Sequence, residues 1–131
     1  MRKLRVYNFE DREMWVANDY EDLSNLFMAL NADDSMYSPL MQSTGLLDRS
    51  TPKREIFKGD IVKVTDSDER TDFSDGGNGT ICGLDDLYMW YIDGQVQNGL
   101  FDINQEYYIE VIGNIYENPE LLEGTQDDTK V

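Results

Sequence analysis

The sequence predicts a mainly β, α+β fold: a small, partly closed β-barrel preceded by a β-hairpin and one amphipathic helix. Three observations carry that prediction. Residues 55–116 hold about five short runs rich in β-branched and aromatic residues, with Gly-bearing turns between them. Residues 3–17 hold two further short runs separated by Glu10-Asp11-Arg12. Between these regions a single stretch, 19–30, has helical rather than strand periodicity.

Taken in order, Lys3–Phe9 (KLRVYNF) alternates Leu4, Val6 and Asn8 against Arg5, Tyr7 and Phe9. Glu13–Ala17 (EMWVA) is its hairpin partner. Asn18 and Asp19 are N-cap residues by type, and Glu21 and Asp22 suit the positive end of a helix. Leu23, Leu26, Phe27 and Leu30 fall at i, i+3, i+4 and i+7, which predicts a core-facing helix over 19–30. Asn31–Ser35 ends it. Tyr37–Thr44 reads as a strand closed by Gly45, and Glu55–Thr65 as a strand pair broken at Gly59-Asp60. Ile61, Val62 and Val64 favour a strand, with Lys63 facing away from the core.

Asp66–Gly79 (DSDERTDFSDGGNG) reads as a polar, acidic loop. It fails the calcium-loop pattern. Arg70 stands at the fifth position, Thr71 where Gly is needed, and Gly77 where a bidentate Glu belongs. GGNG lacks the Lys-Ser/Thr of a phosphate loop and reads as a Gly-rich turn. Thr80–Leu84, Tyr88–Ile92 and Val96–Ile103 follow as strands, with Asp93-Gly94 as the strongest hairpin-turn signal. Tyr107–Tyr116 is the last strand, and Gly113 marks a bulge or a close backbone approach. Asn118-Pro119 starts a short helical turn, Asn118 as its cap, with Leu121 and Leu122 packing back. The GDIVKV start, long first loop and short later hairpins predict an SH3-like barrel.

At 131 residues the chain is read as one domain. Residues 1–54 supply the hairpin, helix and first strand, residues 55–123 the barrel-like part, and 124–131 a flexible tail. The single cysteine, Cys82, excludes an internal disulfide and reads as a buried small hydrophobe rather than a reactive thiol. With no histidine and one cysteine, a structural zinc site is excluded, and no cofactor is expected. No apolar run is long enough to span a membrane, and the N-terminus lacks the apolar core of a signal peptide. A cytoplasmic protein is expected.

The formal net charge is −16. Residues 1–54 hold 7 Lys and Arg against 9 Asp and Glu, whereas residues 55–131 hold 4 against 18. Such a surface repels nucleic acid, so direct binding to DNA or RNA is not expected.

Three blocks, MRKLRVYNFEDREMWVA, SPLMQSTGLLDRSTPKREIFKGDIVKV and EVIGNIYENPELLE, occur in order across nearly the whole chain. Together they resemble the YopX family of bacteriophage and prophage proteins, whose pattern has a similar N-terminal hairpin, an LMQxTGL block running into GDIV, and a closing EVIGNIYENPELL. Residues 66–105 carry no family motif. The family turn of the type GLKDKNGKEIYEGD is here GLLDRSTPKREIFKGD, two residues longer, without Asn-Gly and with Pro52 near its tip. The flanks, Leu40–Leu46 and Ile56–Val64, therefore read as structural frame. The tip, with Arg49, Lys53 and Arg54, reads as replaceable turn chemistry. The resemblance implies a phage origin and an infected bacterial cytoplasm, and it implies no catalytic or ligand-binding residue.

Three classes of function fit these residues. The first is a non-catalytic accessory protein that binds a host or phage protein. Its candidate surface is Tyr88, Trp90 and Tyr91, together with the positive patch Arg49, Lys53 and Arg54; a homo-oligomer, with that patch against the acidic half of a second copy, belongs to the same class. The second is an acidic DNA mimic that inhibits a host DNA-binding protein. The third is a carboxylate-dependent enzyme, for which pairs such as Asp85-Asp86 are the only material, with no Ser/His, Cys/His or phosphate-loop constellation. The expected reading is the first, not an enzyme.

Overall fold

Asn8 shows how a single side chain starts the fold. At the end of β1 (Leu4–Asn8) its Oδ1 accepts the backbone N–H groups of Glu10 and Asp11, each at 2.9 Å. This Asx-type turn needs only a short amide side chain. It returns the chain as β2 (Glu13–Ala17), paired antiparallel from Leu4↔Ala17 to Asn8↔Glu13. The hairpin read from the sequence is present. The structure, a computed structural model, describes residues 3–65, 77–83, 89–94, 98–100 and 108–122.

The chain divides into two compact units, Met1–Ser43 and Thr44–Val131. In the first, α1 (Tyr20–Ala32) follows the hairpin. Asp19 is the N-cap: its Oδ1 accepts the Asp22 N–H at 2.8 Å, and Asp22 Oδ2 accepts the Asn18 N–H at 3.1 Å. Two otherwise orphaned donors are thus satisfied reciprocally. The helix buries Leu26 against Val6 and Ala17, with Leu23, Leu30, Trp15 and Tyr37 packed around them. Phe27, expected in this core, is 43% exposed instead. One helical step of about 100° carries it past the edge of the face that Leu26 centres.

The strand expected over Tyr37–Thr44 forms later. Tyr37 makes an isolated bridge to Asn8, and β3 runs over Met41–Leu47 through Gly45, which adopts φ 79°. Ser38 displaces the ladder: its Oγ accepts the Tyr7 N–H at 2.8 Å while its own N–H donates to Tyr7 O at 2.9 Å. Pro39 has no N–H to continue a ladder. The first residues of β3 then pair with β1, Leu4↔Gln42 and Arg5↔Met41.

In the second unit, the later part of β3 neighbours β4 (Glu55–Phe57). Five more strands follow: β5 (Asp60–Thr65), β6 (Gly77–Gly83), β7 (Trp90–Gly94), β8 (Asn98–Gly99) and β9 (Tyr108–Asn114). Their order in one sheet is β8-β7-β6-β5-β9. A four-strand meander with the last strand returning beside the first is the order expected of a small, partly closed SH3-like barrel. Its core is Ile56, Val62, Val64, Ile81, Ile92, Leu100 and Ile109, flanked by Leu46, Trp90 and Val111. Each such aliphatic side chain contributes roughly 1.5–3 kcal/mol by burial, so this cluster dominates the unit's stability. Lys63 alone among Ile61–Val64 is exposed.

Several boundaries differ from the sequence reading. Gly77, Asn78 and Gly79 belong to β6, opposite Val64, Lys63 and Val62, rather than to a turn. Asp93-Gly94 is strand as well, paired with Thr80 and Gly79. β7 and β8 pair antiparallel, Tyr91↔Gly99 and Ile92↔Asn98, and pairing with β6 carries β7 through the dipeptide to Gly94. Cys82 is half-buried rather than buried. Strand β8 is Asn98–Gly99, and residues 96, 97 and 101–103 of the expected strand lie outside the described residues. Most of the 66–79 loop, Tyr88 and the 124–131 tail lie outside the described residues.

Both expectations for Gly113 hold. The β5–β9 register shifts between Ile61↔Gly113 and Val62↔Val111, leaving Ile112 over. A Cβ at Gly113 would also lie 2.5 Å from Asn118 Oδ1. Asn118 does not cap the following helical turn with its side chain. Its Oδ1 accepts the Asn114 N–H at 3.2 Å, and its backbone carbonyl accepts the Leu121 N–H at 3.1 Å. Leu121 and Leu122 are half-buried, as a turn packing back requires.

Candidate protein interface

The basic tip is built on one buried carboxylate that the sequence reading passed over. Asp48 is 1% exposed. Its Oδ1 accepts the Ser50 N–H at 3.2 Å, the Ser50 Oγ–H at 2.7 Å and the Arg54 N–H at 2.7 Å. Its Oδ2 accepts the Val111 N–H at 2.9 Å. Burial pushes the Asp48 carboxyl up, but these four hydrogen bonds together outweigh it and hold the carboxyl below its ordinary value. Two backbone contacts complete the clasp: Asp48 N–H to Arg54 O and Arg49 N–H to Ile109 O, both at 2.8 Å. The loop 48–54 is therefore locked to β9 at both ends. The readable signal was Asp48-Arg49-Ser50, a spacing at which an Asp side chain caps its own turn.

On this locked loop Arg49, Lys53 and Arg54 are exposed. Arg54 Nη1 donates to Val111 O at 3.2 Å, so this guanidinium also serves the clasp. Trp90 and Tyr91 sit elsewhere, on β7. Trp90 is half-buried against the barrel core, and Tyr91 is half-buried between its pair partners Cys82 and Gly99. β7 and β9 are three strand steps apart, about 14 Å along the sheet. The structure thus gathers the three cations on one loop and keeps the aromatic pair on a separate strand. Tyr88 lies outside the described residues.

Among the described residues, three of the nine exposed large apolar side chains lie on α1. Tyr20 is 73%, Phe27 43% and Met28 67% exposed. Tyr20, Ser24, Phe27 and Asn31 follow at i, i+4, i+7 and i+11, a stripe of alternating aromatic and polar residues beside the face of buried Leu26 and half-buried Leu23 and Leu30. A groove of about 450 Å³ opens along this stripe between Phe27, Leu30, Asn31 and Asp34 on one side and Ser38, Pro39 and Leu40 on the other. The second wall is rigid, because Ser38 holds both polar groups of Tyr7 and the Phe9 N–H donates to Met36 O at 2.8 Å. Trp15 packs edge-on against Tyr37 at 5.4 Å behind it. A smaller cavity of about 190 Å³ lies between β2 and the first half of the helix. The sequence signal for the groove was Phe27 among Leu23, Leu26 and Leu30: a helix with Phe27 beside Leu26 carries more apolar width than one core contact covers.

The helix ends on Asp33, whose N–H reaches Ala29 O at 3.2 Å. Hydrogen bonds from Ser35, first from its hydroxyl at 2.6 Å and then from its N–H at 3.0 Å, hold the Asp33 carboxyl below its ordinary value. Among the described residues no cluster of three His, Cys, Asp or Glu is arranged to hold a metal. No helix among them is long and apolar enough to cross a membrane.

The family model described as YopX protein matches residues 3–123. The crystal structure of protein EF1440 from Enterococcus faecalis is similar in fold, with a TM-score of 0.58 and 24% identity over 93% of this chain and 98% of that one. No curated protein matches the chain.

Proposed function

We propose that this chain, which belongs to the YopX family, is a non-catalytic accessory module that binds another protein. On this reading it works in the cytoplasm of a phage-infected or lysogenic bacterium, and the bound protein is of host or phage origin. The observation that carries the reading is the set of exposed side chains Tyr20, Phe27 and Met28 on α1, with Phe27 lining a groove whose other wall is Ser38, Pro39 and Leu40. Aromatic and Met side chains are enriched where proteins meet, and an apolar patch rimmed by polar groups marks such a surface. In the second unit, Trp90 and Tyr91 on β7, and Arg49, Lys53 and Arg54 on their locked loop, are further candidate contact residues.

The test is capture of cell proteins by the tagged chain and by its Phe27→Ser/Met28→Ser variant, at low and high salt. Both side chains are exposed, so the variant keeps its fold, which circular dichroism verifies. A protein held at both salts by the parent and lost by the variant supports the reading. Capture that ignores the two substitutions and vanishes in high salt replaces it with the acidic DNA-mimic reading.

A further inference from the structure

The groove on α1 has a mixed lining and an acidic residue, Asp34, at one end. Phe27, Leu30, Pro39 and Leu40 supply the apolar walls, and Asn31, Asp34 and Ser38 the polar ones. Residues 19–35 contain five acidic side chains, Asp19, Glu21, Asp22, Asp33 and Asp34, and no Lys or Arg. Glu21 and Asp22 suit the helix N-terminus. Asp33 and Asp34 do the opposite: they add negative charge at the end where the helix dipole is already negative, and the last turn holds no basic residue to offset it. Ser35 fixes the Asp33 carboxylate in place. Charge of one sign is thus concentrated where the groove opens, at a small cost to the helix that carries it.

We infer that this groove takes a basic amphipathic helix of a partner protein, its apolar side between Phe27 and Leu40 and its Lys or Arg residues against Asp33 and Asp34. The inference rests on the protein-binding reading above and names the partner's chemistry. Two other occupants are disfavoured by charge. A second copy carries a net charge of −16, and its cations Arg49, Lys53 and Arg54 stand on a loop clasped to β9 rather than on a helix that could enter the groove. The chain's own residues 123–131 carry Glu123, Asp127 and Asp128 against a single Lys130, the same sign as the groove. The geometry suits a short helix, because helix-in-groove recognition uses apolar anchors at i, i+3, i+4 and i+7, and the lining from Phe27 to Asp34 is roughly two helical turns long.

The probes are two fluorescent amphipathic peptides of roughly 14 residues, long enough for partial helix. Both carry the same Leu/Phe face; one has Lys and the other Glu on the flanks. Anisotropy titration against the full chain should show the Lys peptide binding and the Glu peptide failing. Phe27→Ser should weaken the Lys peptide about tenfold, as loss of an aromatic anchor does. Asp33→Asn/Asp34→Asn should weaken it about threefold at low salt and have no effect at high salt. Equal binding of the two peptides, lost with Phe27→Ser, would overturn the inference while leaving the protein-binding reading intact. Binding of neither peptide would overturn the inference, and the capture experiment above then decides the broader reading separately. A concentration-dependent dimer abolished by Phe27→Ser in sedimentation would assign the groove to a second copy and overturn it as well.

Discussion

Replacing Asp48 tests whether one buried carboxylate holds the basic loop to the barrel. Asp48→Asn keeps the shape but puts an amide N–H₂ on one side of the group. Three donors converge on Oδ1, so the amide oxygen stays there and the N–H₂ faces the Val111 N–H. One charged hydrogen bond becomes a donor facing a donor, a loss of about 2 kcal/mol. Asp48→Ala strands the Ser50, Arg54 and Val111 N–H groups together, and about 4 kcal/mol is expected after allowing for relaxation and water entry. Urea unfolding followed by circular dichroism measures both: a loss of 2 kcal/mol moves the midpoint by roughly 1 M for an m-value near 2 kcal/mol/M. The pH dependence gives a second readout. A carboxyl held below its ordinary value contributes stability that is fully present above about pH 4–5 and is lost as pH falls through the folded-state value. The parent should therefore lose its advantage over Asp48→Asn as pH drops from 5 toward the acid limb. If both variants unfold within about 0.5 kcal/mol of the parent at pH 7, the clasp is not what holds this loop.

Other substitutions probe the remaining joints. Gly113→Ala should destabilise by about 1–3 kcal/mol, because its Cβ meets Asn118 at 2.5 Å; adding Asn118→Gly should recover part of that loss, and simple additivity in a double-mutant cycle would refute the contact. Asp19→Ala should cost about 1 kcal/mol through loss of the helix cap, read as a lower melting temperature, and an unchanged melt would contradict the Asp22 hydrogen bond. Asp34→Lys should raise the melting temperature slightly, by offsetting the helix dipole, while abolishing binding of the Lys-flanked peptide; a fall in both would mean Asp34 supports the fold rather than the groove.

The local code was legible wherever one residue type had one mechanical solution. Hairpin β1–β2, the Asp19 cap, the β4–β5 break at Gly59, where φ is 88°, and the bulge at Gly113 follow from short-range sterics and hydrogen bonding. The family was legible from three sequence blocks, and the strand alternation that buries Val62 and Val64 and exposes Lys63 was legible as well. Other features were decided by partners distant in sequence. Asp48 is buried because Val111, 63 residues away, brings its N–H to the carboxylate. Asp93-Gly94 lies in a strand because β6 offers Thr80 and Gly79 as pairing partners, which outweighs the dipeptide's own turn preference. Phe27 shares the helical period of Leu23, Leu26 and Leu30, but the hairpin is wide enough to cover only the face centred on Leu26. Periodicity marks which side chains could be buried together; the width of the surface that meets them determines which one is left outside, and here that side chain opens the groove.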